Sequence, residues 1–330
     1  MTNFILGIET SCDDTSVALV DRSGNVKAIE TVSQYKVHSE FGGVYPELAS
    51  RAHLEAILPV IESVMGTARV ATSQLAAIGV TRGPGLMGSL LVGLSTAQAL
   101  GMAWDLPVHG INHLRGHICS VDLEVKRLKY PAVILLVSGG HTLLAYVPDE
   151  KTYELMGTTR DDSDGECYDK VARTLGLGMP GGPALDRMAL TGNASIKFPR
   201  PMINSGYEIS FSGLKSSVAR YVDTHEGLNV NDVSASFVAA CIDVLSSKVL
   251  RAVQDKNPKT LAVVGGVAAS PQLRSRMQDI SEQTGVTLCL PPIKWSTDNA
   301  AMIAMAAWDY IDQGIITDLE PRPNLSLDQA

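Results

Sequence analysis

Basic residues are in the minority in this chain: 27 Lys and Arg stand against 35 Asp and Glu in 330 residues, a net charge of −8. Tight binding to nucleic acid needs clustered cations to neutralise phosphates, so strong unaided binding to a polynucleotide is excluded. Such a partner would need help from another subunit. Cysteine is also scarce. Cys12, Cys119, Cys167, Cys241 and Cys289 are scattered, odd in number and without a C-x-x-C pair. That excludes a disulfide framework and fits a reduced, cytoplasmic compartment. The opening MTNFILGIET lacks a basic segment and meets Glu9 early, so it reads as a first strand and not as a signal peptide. No low-complexity stretch marks a linker. Yet 330 residues with 45% apolar content exceed the usual single core and imply two domains of roughly 100–200 residues each.

One run lacks charge altogether. Residues 83–104 hold no Asp, Glu, Lys or Arg over 22 positions, long enough in principle to cross a bilayer. Pro84, five glycines and the polar Ser89, Ser95, Thr96 and Gln98 interrupt it, and it stands alone. A buried helix opened by the Gly83-Pro84-Gly85 turn explains it better, and no membrane association is expected.

What is present is a duplication. Residues 5–20 (ILGIETSCDDTSVALV) and 132–147 (AVILLVSGGHTLLAYV) align without gaps at an offset of 127, which sets Ser11 on Ser138, Thr15 on Thr142, Ala18 on Ala145 and Val20 on Val147. Each copy reads as strand, small or polar turn, strand. The turns leave backbone N–H groups able to close on an anion, although two ordinary hairpins would look the same. Further along, a strand at 75–81 runs into the glycine-rich 82–88 and a helix. A strand at 260–264 likewise runs into Gly265-Gly266-Val267 and a helix from about Pro271. Each half is thus a hairpin sheet, a strand, a glycine turn and a helix, an α/β plan of the two-lobed ATPase type with its ligand between the lobes. Residues 197–212 and Pro180-Gly181-Gly182-Pro183 read as loops over that cleft, and the polar tail from Pro321 wraps or frays.

The sharpest chemical spacing is His113-Leu114-Arg115-Gly116-His117. On a helix, residues four apart project from one face, so both imidazoles can ligate one ion. Gly116 weakens the case for a regular helix. Asp298, just before the apolar helix expected at 300–311, is a third ligand or an ordinary helix-start acid. A zinc protease is excluded because its general-base Glu would follow the first His, where Leu114 stands. His38, His53, His109 and His141 are left unassigned.

Many motifs in order resemble one family: Gly7-Ile8-Glu9-Thr10-Ser11-Cys12-Asp13, Phe41-Gly42-Gly43, Pro46-Glu47, Gly83-Pro84-Gly85-Leu86, His113 with His117, Val137-Ser138-Gly139-Gly140-His141-Thr142, Gly165-Glu166 with Asp169-Lys170, Pro180-Gly181-Gly182-Pro183, Phe198-Pro199-Arg200-Pro201-Met202, Phe211-Ser212-Gly213-Leu214-Lys215 and Thr297-Asp298-Asn299. From end to end the chain resembles the TsaD family of tRNA threonylcarbamoyladenosine synthases, in its bacterial-type branch by His141. The resemblance implies an actin/Hsp70-like (ASKHA) two-lobed α/β fold. It would have duplicated ribonuclease H-like domains, residues 1–109 with 296–330 and residues 110–295, and a central nucleotide and metal cleft.

It also implies transfer of a threonylcarbamoyl group from threonylcarbamoyl-adenylate to N6 of adenosine-37, in tRNAs reading codons that begin with A. His113, His117 and Asp298 would hold one divalent ion, Fe(II) ahead of Zn(II). Leu136, Val137, Ser138, Gly139 and Gly140 would meet the nucleotide's phosphate side through backbone amides, with Asp169 on the ribose, Gly182 allowing close approach, and Asp186 and Ser270 adding contacts. The nucleotide is the adenylate substrate, with ATP or ADP as further ligands. Glu9 and Asp13 are catalytic candidates that would orient water, the metal or the amine. The implied partners are tRNA, a TsaB-like paralogue and a TsaE-like ATPase, or a second copy in a homodimer. Scattered cations such as Lys126, Arg127 and Lys129 would face the RNA.

Three departures from the family pattern stand out. Arg115 replaces a common Glu, Ser270-Pro271 replaces an Asn, and Trp295 replaces a Cys. Arg115 reads either as a contact to tRNA phosphates or as an exposed helix arginine. A kinase-like phosphotransferase on the same fold and an inactive scaffold subunit are the alternatives. The first gives His113 and His117 no role, and the second would show lost ligands or glycine loops.

Overall fold

The computed structural model describes residues 3–39, 43–124, 128–178 and 180–329; Phe41, Gly42, Lys126 and Arg127 lie outside them. The chain folds as two compact units, Met1–Arg127 with Asp298–Ala330, and Leu128–Thr297.

The first unit holds strands β1 (Phe4–Glu9), β2 (Asp14–Asp21), β3 (Val26–Ser33), β4 (Leu75–Gly83) and β5 (Val108–Asn112), with helices α1 (Tyr35–Ser39), α2 (Pro46–Ala68), α3 (Met87–Trp104) and α4 (His113–Cys119). The second holds β6 (Ala132–Val137), β7 (Thr142–Val147), β8 (Glu154–Thr158), β9 (Thr260–Val264) and β10 (Thr287–Cys289), with α5 (Asp164–Thr174), α6 (Gly181–Ala189), α7 (Ser212–Thr224), α8 (Val230–Lys256) and α9 (Pro271–Thr284). Helix α10 (Ala300–Gln313) returns to the first unit.

The duplication is carried by the sheets. The first runs β3-β2-β1-β4-β5 and the second β8-β7-β6-β9-β10. In both, three antiparallel strands are followed by two parallel ones. This is the ribonuclease H-like half that the family resemblance implies, made twice. Even the register is kept: Ile5 faces Val20 and Ala132 faces Val147, each pair displaced by the sequence offset of 127. Alternation within the strands fixes the faces. Leu6 and Ile8 of β1 join Val17 and Leu19 of β2 against Ile57, Val60, Ile61 and Val64 of α2 and Leu90 and Leu94 of α3.

The opposite face of the first sheet takes α10, and it does so at close quarters. A Cβ on Gly7 would lie 2.2 Å from the Ala300 carbonyl oxygen, and one on Gly79 would lie 2.7 Å from the Ala307 methyl. Small residues on both sides seat the start of α10 against the end of β1. Helix α8, long and apolar enough to cross a membrane, is a core helix instead, with 78% of its most apolar window buried. Residues 83–104 likewise become β4's end and α3, whose Leu90, Gly93, Leu94 and Ala97 are buried.

Two expectations are corrected. The first domain junction lies after Arg127 and not after residue 109, because β5 pairs parallel to β4 and α4 follows directly from it. Pro180-Gly181-Gly182-Pro183 is not a loop: Pro180 is the N-cap of α6 and the next three residues form its first turn, where a proline's missing N–H costs nothing. Residues 197–211 do lie outside regular elements, and buried Lys248 fastens them by donating to the carbonyls of Met202 (2.6 Å), Ser205 (3.0 Å) and Gly206 (3.1 Å).

Candidate functional site

In an α/β sheet, functional groups gather where parallel strands end. In the first unit β1 ends at Glu9, β4 carries Thr81 near its end, and β5 ends at Asn112. Helix α4 starts at once. Asn112 is its N-cap, accepting the Leu114 N–H at 2.9 Å, so His113 and His117 stand one turn apart on one face. Gly116 does not break the helix. It makes room for α10, because a Cβ there would meet the Ile303 Cδ1 at 2.8 Å. Asp298 is not the N-cap of α10: Asn299 takes that place, accepting the Met302 N–H at 3.0 Å.

The carboxylate of Asp298 instead turns to the imidazoles, with its Oδ1 3.1 Å from His117 Nε2 and 3.5 Å from His113 Nε2. The three side chains offer ligand atoms that all lie within 4.8 Å of one another. His117 is fully buried, yet neither of its ring nitrogens makes a hydrogen bond of good geometry. A buried imidazole so placed fits a metal ligand and not a packing residue. Asp298, with 32% of its side chain exposed, is the open side of the group.

Glu9 is buried behind the histidines. Its Oε1 accepts the Ser11 N–H (2.5 Å), and its Oε2 accepts the Thr81 hydroxyl (2.7 Å) and lies 2.8 Å from His113 Nδ1. That leaves His113 Nε2 for the open side. A ligating histidine fixed through its other nitrogen by a carboxylate is the usual second layer of a metal centre. Burial alone would raise the Glu9 carboxyl, but His113, by charge and hydrogen bond, holds it below the ordinary range. Burial likewise opposes the charges of His113 and Asp298; the acids nevertheless lift His113 well above the usual imidazole value, and His113 with His117 hold Asp298 well below the usual carboxylate value. Asp13 is half-buried in the β1–β2 turn, its carbonyl accepting the Gln34 N–H at 3.0 Å, and is not part of the ligand group.

Arg115 is neither exposed nor free for phosphates. It is 4% exposed and donates through Nε to the Leu327 carbonyl (3.1 Å) and through Nη2 to that of Asp328 (3.4 Å).

The nucleotide candidates all belong to the second unit. Leu136 and Val137 are buried residues of the central strand β6; Leu136 is paired on both sides, with Leu143 and Val264, and Val137 with Thr142 of β7. The Ser138 N–H donates to the His141 carbonyl (2.8 Å) and its Oγ accepts the His141 N–H (3.1 Å), which closes the turn and leaves Gly139 and Gly140 open. Gly182 is open as well. Asp169 Oδ1 already accepts the Gly181 N–H at 2.9 Å, joining α5 to the start of α6. Asp186 and Ser270 do come together: the Ser270 hydroxyl donates to Asp186 Oδ1 at 3.0 Å, and burial pushes the Asp186 carboxyl up to about 6. Thr81, Asn112 and Asn299 were missed as site residues. For the two Asn the available signal was their place just before an expected helix, since Asn is a preferred N-cap.

A family model described as TsaD, tRNA N6-adenosine threonylcarbamoyltransferase, matches residues 25–305. Enzymes of that name from Thermosipho africanus and Bacillus subtilis are each 43% identical to this chain over 98% of its length, covering 99% and 96% of their own. The chain belongs to the TsaD family. Solved structures more distant in sequence share the fold. HypF from T. kodakarensis superposes with a TM-score of 0.68 at 13% identity, over 96% of this chain and 49% of its own. The activator of 2-hydroxyisocaproyl-CoA dehydratase from Clostridium difficile does so with a TM-score of 0.55 at 16% identity, over 96% and 98%. The TsaD chain therefore has the actin/Hsp70-like fold that the family resemblance implies.

Proposed function

We propose that this chain transfers the threonylcarbamoyl group of threonylcarbamoyl-adenylate to N6 of adenosine-37 in cytoplasmic tRNAs reading codons that begin with A. The observation that carries the reading is the His113, His117 and Asp298 group, backed by Glu9, in a chain of the TsaD family. In the reaction the amine nitrogen bonds the carbamoyl carbon, the bond from that carbon to the adenylate oxygen breaks with its electrons on the AMP phosphate, and the amine gives up one proton to solvent water. An exocyclic adenine amine is a weak nucleophile because its lone pair is conjugated with the ring. Activation therefore falls to the carbonyl side.

His113 Nε2, His117 Nε2 and an Asp298 oxygen would hold one divalent ion, Fe(II) by preference or Zn(II), whose Lewis acidity toward the carbamoyl oxygen is worth several kcal/mol in comparable sites. Glu9 fixes the His113 ring, so its role is to orient a ligand and not to touch substrate. Gly139, Gly140 and Gly182 offer open backbone for the nucleotide phosphates, and Asp169, Asp186 and Ser270 hydrogen-bonding groups for its sugar; ATP and ADP would fit the same groups. A kinase-like phosphotransferase would leave the buried histidine pair without a role, and an inactive scaffold would have no reason to keep it.

Partners belong to the reading. The net charge of −8 and the sparse cations, with Lys129 exposed, leave tRNA binding to be shared with a TsaB-like paralogue and a TsaE-like ATPase, or with a second copy of the chain. Leu54 and Leu58 of α2 and Met87 and Leu91 of α3, all exposed, offer such a subunit an apolar face. The test is incubation of the purified chain with threonylcarbamoyl-adenylate and tRNA, with and without these partners, followed by nucleoside analysis. Threonylcarbamoyladenosine is expected; an unmodified nucleoside in every combination would overturn the proposal.

A further inference from the structure

Residues 315–329 do not fray but run along the first unit to the helix that carries the histidines. Thr317 is tied to Gly110 of β5 in both directions, its hydroxyl accepting the Gly110 N–H (3.1 Å) and donating to the Gly110 carbonyl (2.9 Å). Asp318 pairs with the buried Arg82 at 2.7 Å, and the Arg322 N–H donates to the Arg82 carbonyl at 2.7 Å. Leu325 and Leu327 then bury their side chains.

The last turn lands on α4. Asn112 Nδ2 donates to the carbonyls of Ser326 and Gln329, both at 2.8 Å, while its Oδ1 caps the helix through Leu114. A side-chain amide has two donor hydrogens and one acceptor oxygen, so this residue is fully committed, one end to the helix and the other to the tail. Arg115, between the two histidines, donates to the carbonyls of Leu327 and Asp328. Its guanidinium also lies 5.7 Å from the centre of the Tyr310 ring of α10, the helix that follows Asp298. The residue before the first histidine and the residue between the two are therefore both fastened to the same turn of chain.

We propose that residues 325–329 act as a strap that sets α4, with Asn112 and Arg115 as positioning residues, so that retention of a metal ion depends on the strap. This rests on the metal reading given above. Helix α4 spans only His113–Cys119, too short to hold itself in register without outside partners. Outer partners of metal ligands of this kind change affinity by about 10–100-fold when removed.

The experiment measures Zn(II) affinity of the full chain by competition with a chromophoric chelator, alongside hydrogen exchange of the α4 amides in the metal-free protein. Arg115→Ala, Asn112→Asp and removal of residues 325–330 should each weaken Zn(II) binding at least about tenfold and speed exchange of α4, with Arg115→Lys falling between. Asn112→Asp is diagnostic, because it keeps the cap and adds negative charge, which by electrostatics alone would tighten a cation. Combining Arg115→Ala with the truncation should be no worse than the truncation alone, since the truncation already removes the carbonyls that Arg115 binds. Variants that melt earlier yet bind Zn(II) as tightly as wild type, with α4 equally protected, would overturn the strap alone. A wild-type chain that takes no Zn(II) would overturn the ligand group, and this inference with it.

Discussion

His113 Nδ1 lies 2.8 Å from Glu9 Oε2, a contact that joins the end of the first strand to a helix 104 residues later. It decides which nitrogen of His113 is available to a ligand and which is spent on orientation. Glu9→Gln keeps an acceptor for the Ser11 N–H but removes the charge. Zn(II) affinity measured by chelator competition should fall about tenfold or more, and the metal-free chain should melt earlier, because the buried His113 loses a charge partner. Unchanged affinity would mean that Glu9 acts on something other than His113.

Much of this was legible in the sequence because it is local or repeated. The repeat marked the β1–β2 and β6–β7 hairpins as equivalent, and the four-residue spacing of His113 and His117 placed them on one helical face. Asp298 was legible only as one of two readings. What separates ligand from cap is Asn299, the next residue, which takes the capping role. Arg115 was misread because a charged residue in a short helix is ordinarily solvated, and nothing local announces that the tail 212 residues later supplies carbonyls for it. Asp169 was read as a ribose ligand, and its bond to the Gly181 N–H was hidden for the same reason: the partner lies in a helix start that the proline and glycines disguised as a loop.

A second prediction tests the seat of α10. A methyl group on Gly7 would press against the backbone oxygen of Ala300 at 2.2 Å, and backbone cannot swing aside as a side-chain tip can. Gly7→Ala should cost about 1–3 kcal/mol in denaturant unfolding and should also weaken Zn(II) binding, because Asp298 rides on the displaced helix start. Wild-type stability would show that the helix has slack.

The third concerns a buried acid in the second unit. Asp164 has no hydrogen-bond partner of standard geometry for either oxygen, and burial pushes its carboxyl up to about 7. A folded-state value above the unfolded one means that the folded protein holds the extra proton. Its stability is therefore full below the ordinary carboxylate range and is lost as pH rises through about 7. Asp164→Asn should be more stable than wild type by about 2–4 kcal/mol at pH 8, the gain shrinking toward pH 5. A gain independent of pH would mean that the carboxyl does not titrate in this window.

The fourth addresses the nucleotide. Asp169→Asn preserves an acceptor for the Gly181 N–H and so leaves the start of α6 in place. If Asp169 also meets a ribose hydroxyl through its charge, AMP affinity by calorimetry should fall about tenfold or more, the worth of a charge-assisted hydrogen bond of about 1.5–3 kcal/mol. Equal AMP affinity in the two proteins would reduce Asp169 to a link between α5 and α6.

The last prediction concerns the RNA. With 27 basic against 35 acidic residues, the chain has few cations to spare for phosphates, so the isolated protein should bind tRNA weakly and lose it as salt rises. The slope of log affinity against log salt should be shallow for the chain alone and steeper once partners add phosphate contacts, since each neutralised phosphate contributes about −0.9 to that slope on duplex and about −0.7 on single strands. Incorporation of labelled threonine should accordingly require, or be strongly accelerated by, a TsaB-like paralogue and a TsaE-like ATPase. Replacing the acceptor adenosine by guanosine should abolish it, because guanine carries no amine at that position. Equal labelling of the guanosine transcript would remove the proposed acceptor. Full multiple turnover by this chain alone would show that its own surface, despite its acidity, suffices for tRNA.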